Sequence, residues 1–275
     1  MTTVSLPHLA MLEASPPEMI RAAASAGFDA VGLRIRPTMA GEVPHPLRPG
    51  SRMHKECLAL LSETGVKLLD IEAFWLRPET DPRDLLADME TAAALGAESL
   101  QFACADPDSA RAKSNLAHAA ELAQGFGLRI EFEYMAVSAI ASLRAALEMV
   151  TGCRTGNVGI MLDMLHIARC ATTLDELRSA PPRLINIFQI CDAPAAAPEG
   201  FDAAMQEARF GRLLPGEGAL RLFDVTLLLP AKTKISVEVP LAASRGLPAS
   251  ERANILMQAY RRYRNGGAKH TGSNS

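Results

Sequence analysis

Four times in this chain an alanine- or leucine-rich helical stretch ends on a glycine and the sequence turns at once into an apolar run. Gly27 precedes Phe28-Asp-Ala-Val-Gly-Leu-Arg-Ile35, Gly65 precedes Val66-Lys-Leu-Leu-Asp-Ile71, Gly96 precedes Ala97-Glu-Ser-Leu-Gln-Phe102, and Gly127 precedes Leu128-Arg-Ile-Glu-Phe132. A glycine supplies the left-handed residue that closes a helix, and a strand after so short a turn is the usual helix-to-strand connection. Helix starts punctuate the same chain. Ser15-Pro-Pro-Glu18 has a capping serine, prolines for the first turn and a glutamate three residues on, while Asp81-Pro-Arg-Asp84, Asp106-Pro-Asp-Ser109, Ser138 and Ser250-Glu251 each carry a capping residue. Strand onsets are expected near residues 4, 29, 67, 98, 129, 158, 185 and 234.

Strands that alternate with helices pair in parallel, and eight such units close into a (β/α)8 barrel, an α/β fold that runs to about 250 residues as one domain. An open doubly wound sheet is the structural alternative. The chain has no Gly-x-Gly-x-x-Gly after the first strand and no Gly-Lys-Ser/Thr loop, the phosphate-binding turns common in such sheets. A single catalytic barrel is therefore expected over residues 1–264, with 265–275 as a polar, disordered tail. Two connections are long: Pro37 to Gly50, stiffened by Pro44, Pro46 and Pro49, and Asp192 to about Gly218, an Ala/Pro stretch followed by Arg209-Phe-Gly-Arg-Leu-Leu-Pro-Gly-Glu-Gly218. Loops of that length usually bind or cover something.

Composition narrows the partners. With 48% hydrophobic residues and a net charge of -3, the chain shows neither a basic patch for nucleic acid nor a run of about 18 apolar residues for a membrane span. Its N-terminal residues lack a basic segment followed by an apolar core, and its five cysteines form no Cys-x-x-Cys pair. A cytoplasmic protein with a small-molecule substrate is expected; a homo-oligomer stays open.

The chemistry is concentrated at strand ends. In Arg129-Ile-Glu-Phe-Glu-Tyr134 the two acids alternate with apolar residues, so Glu131 and Glu133 face the same interior. Buried carboxylates call for a cation, an arginine or a proton. Val158-Gly-Ile-Met-Leu-Asp163, Leu184-Ile-Asn-Ile-Phe-Gln-Ile190 and Ile235-Ser-Val-Glu238 end in the same manner on an oxygen-bearing side chain. Parallel barrel strands bring their C-terminal ends to one rim, so Glu133, Asp163, Gln189 and Glu238 are expected to converge there as ligands of one divalent metal. Any one acid at a strand end is commonly a cap or ion-pair partner; three of them gathered with an amide from consecutive strands would repel without a cation. An all-oxygen set suits Mn2+ or Mg2+.

Glu131 lies one pleat deeper and is expected to pair with Arg34 or Arg129. His166, three residues past Asp163 in Leu162-Asp-Met-Leu-His166, is a candidate acid or base, or a helix cap. Arg212 could hold a substrate anion or hydroxyl, or sit on the surface. Glu72, Trp75 and Arg77 close the third strand, with Trp75 a candidate wall against a sugar-like ring, and His8 at the end of the first strand is a further candidate for substrate contact.

Taken together, Glu133-Tyr-Met, Gly159-Ile-Met-Leu-Asp163-Met-Leu-His166, Phe188-Gln189-Ile-Cys-Asp192-Ala-Pro, Arg212-Leu-Leu-Pro-Gly-Glu-Gly218 and Ile235-Ser-Val-Glu238 resemble the xylose isomerase-like TIM-barrel superfamily. The likeness is strongest to its sugar phosphate isomerase/epimerase branch. It implies that Glu133, Asp163, Gln189 and Glu238 are metal ligands, that His166 and Arg212 contact substrate, and that Glu133 and Glu238 exchange protons with opposite faces of a metal-stabilised enolate. Gln189 departs from the pattern: ketose 3-epimerases of the superfamily have histidine there, whereas glutamine is similar to the bacterial 3-dehydroshikimate dehydratases. Glu131 departs too, from a small or apolar residue. The implied activity is a metal-dependent isomerase, epimerase or dehydratase of a polyhydroxylated keto compound; a catalytically silent metabolite-binding barrel is the alternative. With six histidines in all, the chain lacks the histidine-rich three-zinc cluster of the related apurinic endonucleases.

Overall fold

A computed structural model describes residues 2–38, 42 and 45–270, with only the backbone of 267–270. Eight parallel strands close into a barrel in sequence order: β1 (Val4–Leu6), β2 (Ala30–Arg34), β3 (Lys67–Leu76), β4 (Ser99–Cys104), β5 (Arg129–Glu133), β6 (Val158–Asp163), β7 (Ile185–Ile190) and β8 (Lys234–Val237), with β8 pairing back onto β1. The doubly wound alternative is excluded, because an open sheet has no such closing pair. Each onset lies within a residue of its expected position.

The helices that cover the barrel are α1 (Pro16–Ala26), α2 (Arg52–Thr64), α3 (Leu86–Ala94), α4 (Ser109–Gly125), α5 (Leu143–Thr151), α6 (Met164–Arg169), α7 (Leu174–Ser179), α8 (Phe201–Phe210), α9 (Leu222–Thr226) and α10 (Ala249–His270). Ser15 and Glu18 make the expected cap at the start of α1, the glutamate accepting from the Ser15 backbone N–H at 2.8 Å and from its hydroxyl at 2.6 Å. All four joining glycines take positive φ, from 72° to 79°, where a Cβ would be strained. No helix among the described residues is long and apolar enough to cross a membrane.

Three local expectations change. The helix expected at Ser138 begins at Leu143 with Ser142 as its cap, because the Ser138 hydroxyl is spent on the Met135 and Ile140 carbonyls. At the expected start Asp106-Pro-Asp-Ser109 the cap is Asp108, while Asp106 receives the Arg111 guanidinium at 2.6 Å. The Asp192–Gly218 connection contains α8, whose hydrophobic faces were obscured by the alanine and proline before it. The tail expected to be disordered from Asn265 continues α10 as far as His270; residues 271–275, like Pro44, lie outside the described residues.

Most of the core lies between the strands and the helix layer. A separate apolar group, Ala30, Leu69, Met161 and Ile187, comes from four different strands. Met161 is level with Glu133 in the β5–β6 register and with Ile187 in the β6–β7 register, so this group packs beside the rim acids within the barrel. The bulges that break register between Val31 and Gly32, and between Ile160 and Met161, place Asp70 and Asn186 within the same interior.

Candidate metal centre

β5 ends at Glu133 and β6 at Asp163, and the chain leaves β6 directly into α6. Asp163 caps that helix, its Oδ1 accepting from the Leu165 N–H at 2.7 Å and the His166 N–H at 3.3 Å. The cap fixes His166 on the first turn, with Nε2 3.8 Å from Glu133 Oε1. Glu133, Asp163 and His166 each offer a ligand atom within 4.8 Å of the others, and each is 2% exposed or less. This trio fits a metal ion: three donors converge in a water-poor place, and His166 Nδ1 is buried without a hydrogen-bond partner.

Asp163 and Glu238 are tied by one guanidinium. Arg212, buried in the β7–β8 connection, places Nη1 2.6 Å from Asp163 Oδ2 and 3.0 Å from Glu238 Oε2, while its Nε donates to the Ala208 carbonyl at 2.9 Å. Gln189 donates to Glu238 Oε1 at 2.6 Å and leaves its own Oε1 buried and unpartnered. Of the four residues expected to converge as ligands, Glu133 and Asp163 fall in the three-donor group together with His166, whereas Glu238 is held by Gln189 and Arg212 beside it. Arg212 sits inside the cluster, not on the surface.

The charges do not balance. Burial first, and then the neighbouring Asp163, pushes the Glu133 carboxyl up to about 8. Glu238 is also driven well above the carboxylate range by burial, against the pull of Arg212. Asp163 goes the other way: burial raises it, but the Arg212 and His166 fields and the short bond to Arg212 prevail. His166 is held down to about 4 by burial, so it is neutral at pH 7. Without a cation, burial keeps a proton on Glu133 and on Glu238; ionising all three carboxyls would set them against the single permanent positive charge of Arg212.

One further residue, overlooked in the sequence, belongs to this centre. Gln101 on β4 donates to Glu133 Oε2 at 2.6 Å and orients it. Its signal was present, a lone amide in the apolar run of β4, but it lay in mid-strand and not at the end. Arg34 on β2 was noted only as a partner for Glu131; it lies 3.5 Å from Glu72 Oε2. Glu131 itself pairs with Arg129 at 3.2 Å and receives Asn186 Nδ2 at 3.0 Å.

The other candidates fall into two groups. Trp75, half-buried with Arg77 against its ring, lines a cavity of about 80 Å³ together with Glu133, His166, Arg212 and Glu238. Glu72 is committed to the backbone, accepting from His8 N–H at 2.6 Å and Leu9 N–H at 3.1 Å. His8 has neither ring nitrogen to spare: Nε2 bonds the Ala14 carbonyl at 2.9 Å and Nδ1 accepts from the Arg34 N–H at 2.8 Å. Both anchor the β1 exit.

A family model described as "Xylose isomerase-like TIM barrel" matches residues 20–255. Comparison with curated proteins gives no match. Among solved structures, a xylose isomerase-like TIM barrel/4-hydroxyphenylpyruvate dioxygenase fusion protein superposes with a TM-score of 0.77 at 18% identity, over 98% of this chain and 44% of that one, so the chain spans less than half of that protein. The IOLI protein, solved with a zinc atom, gives 0.77 at 19% identity over 99% and 100% of the two chains. The probable 3-DHS dehydratase AsbF from Bacillus anthracis gives 0.72 at 14% identity over 94% and 98%. At these identities the superpositions speak for the fold alone.

Proposed function

Because the chain belongs to the xylose isomerase-like TIM barrel family, we propose that it is a divalent-metal-dependent isomerase or epimerase acting on a sugar-like, polyhydroxylated keto compound. The observation that carries this reading is the charge imbalance at the rim, where Glu133, Asp163 and Glu238 are buried around Arg212 and a neutral histidine. If all three ionise, two negative charges are left over, which is what a divalent cation neutralises. Glu133, Asp163 and His166 would hold it, with Gln189 and Glu238 beside them. An imidazole donor among oxygens suits Mn2+ better than Mg2+. When bound, the ion supplies Lewis acidity to a substrate carbonyl and makes the neighbouring C–H more acidic.

The chain's own groups do the rest. Glu133 and Glu238, each raised by burial toward the range of a working acid or base, are the groups to take a proton from the carbon beside the carbonyl and to return one. Asp163 and Arg212 hold each other in place, and Gln101 and Gln189 orient the two glutamates. Trp75 offers an apolar wall to the substrate's carbon face.

Gln189 favours a second reading, a dehydratase of 3-dehydroshikimate in which loss of the proton is followed by loss of a β-hydroxyl as water, with His166 serving as acid or base instead of holding the ion. One experiment separates the two. Deuterium uptake from solvent at the carbon next to the carbonyl of a ketose, without loss of water and abolished by chelator, supports the isomerase; growth of an aromatic or enone absorbance from 3-dehydroshikimate supports the lyase. Binding of either compound that survives chelation, with no turnover, leaves a silent binding barrel.

A further inference from the structure

The mouth of the cavity carries a cradle of anion-binding donors that the proposed chemistry leaves unused. Its occupant is Glu42, from the connection after β2. Glu42 Oε1 accepts from Arg34 Nη1 at 2.9 Å and from Arg209 Nη2 at 3.0 Å, and Oε2 accepts from the Thr38 N–H at 2.8 Å and hydroxyl at 2.9 Å. Two guanidiniums, a backbone amide and a hydroxyl closing on one group are the donor set of a phosphate or carboxylate site. Burial opposes ionisation of Glu42, yet Arg34 and Thr38 prevail and lower it to about 2, so it sits there as an anion.

Three observations tie this cradle to substrate binding. Arg34, Thr38 and Arg209 line the same cavity as Glu133 and His166. Arg34 Nε lies 3.5 Å from Glu72 Oε2, so a buried ion pair holds the guanidinium in the cradle whether or not Glu42 is seated. The cavity measures about 80 Å³ with Glu42 seated, well short of the roughly 300 Å³ at which small-molecule pockets begin. A sugar-sized molecule therefore enters only when something at the mouth gives way. Glu42, which closes on the three donors that line the cavity, is the group placed to do so.

We propose that Arg34, Thr38 and Arg209 form the binding site for an anionic group of the substrate, a phosphate or a carboxylate, and that Glu42 occupies this site in cis until the substrate displaces it. The inference rests on the reading of the rim as the catalytic centre and narrows its substrate: the keto compound carries an anion away from its reacting carbonyl. Were Glu42 only a clamp between two loops, removing it would loosen them and gain no affinity for anions.

Inorganic phosphate tests this without turnover. The full-length protein is titrated with phosphate in the presence of chelator, so that no rim cation takes part, and binding is read from the fluorescence of Trp75, the one tryptophan in the chain, and by calorimetry. If Glu42 fills the cradle about nine-tenths of the time, its removal tightens phosphate binding about tenfold. E42A is expected to show that gain, E42Q a gain in the same direction, and E42A/R209A none. Phosphate affinity in E42A no higher than in the wild type, or a gain that persists in E42A/R209A, overturns the proposal. Acetate in place of phosphate identifies the source: tighter phosphate points to a phosphate ester, tighter acetate to a carboxylic acid. D163N is expected to keep the phosphate response, so loss of the metal centre and loss of the cradle are told apart.

Discussion

In the proposed mechanism Glu238 and Glu133 move the protons, and each accepts a hydrogen bond from a buried amide, Gln189 and Gln101. E238Q keeps the shape of the side chain and removes its capacity to take a proton; turnover is expected to fall by about 10²- to 10⁴-fold with an unchanged circular dichroism spectrum. Unaltered steady-state rates in this variant would remove Glu238 from the mechanism. Q101A frees Glu133 to rotate, and a fall in kcat of about tenfold with little change in KM is expected, the mark of a group that acts in the transition state. Much of this was legible in the sequence, because the strand-end acids are chemically conspicuous in apolar runs. What was not legible was the company each acid keeps. Arg212 lies 49 residues from Asp163, in a loop whose course no local pattern reveals, and the closeness of His166 to Glu133 depends on Asp163 capping α6. Glu72 and His8 looked the same as the others in sequence, but backbone N–H groups and carbonyls have already claimed them.

At the level of elements, the helix–glycine–strand joins and the strand onsets were readable because turn chemistry and apolar runs are local. The bulges were not, since a bulge belongs to a pair of strands. Their consequence is visible at Gly159 on β6: a Cβ there would overlap Asn186 Nδ2 and come within 2.5 Å of Glu131 Oε2. G159A is therefore expected to lower stability by about 1–3 kcal/mol through overpacking, measured by urea denaturation; a midpoint equal to the wild type would mean that this polar layer has room to spare. α8 joins α6 through Arg169 and Glu207, at 2.6 Å with both side chains at most 11% exposed. This pair fixes the segment that delivers Arg209 and Arg212 to the cavity, although nothing in the sequence announced it.

For the whole molecule, closure of the barrel gathers acids from distant parts of the chain into a low-dielectric interior, and pH reports the cost. Glu131 and Glu133 titrate at about 7 and about 8 when folded, against an ordinary value of 4.5. The folded chain then binds more protons than the unfolded chain across that interval, so its stability falls as pH rises. His166 acts in the opposite sense, but only between about 4 and 6.5. Metal-free protein is expected to lose thermal stability from pH 6.5 to about 8.5, and a saturating divalent ion is expected to remove the part of the loss that comes from Glu133, because it replaces the proton there, leaving the smaller part due to Glu131. A melting temperature that stays flat across this range in chelator contradicts that electrostatic account.

The most direct test is metal stoichiometry in chelator-washed protein, titrated calorimetrically with Mn2+ at pH 7.5 and compared with D163N and H166A. Wild type is expected to bind one ion per chain with release of protons, both variants to lose that binding while remaining folded, and activity to return with the ion. No bound ion in the wild type, or full affinity in D163N, would contradict the assignment of Glu133, Asp163 and His166 as a metal centre.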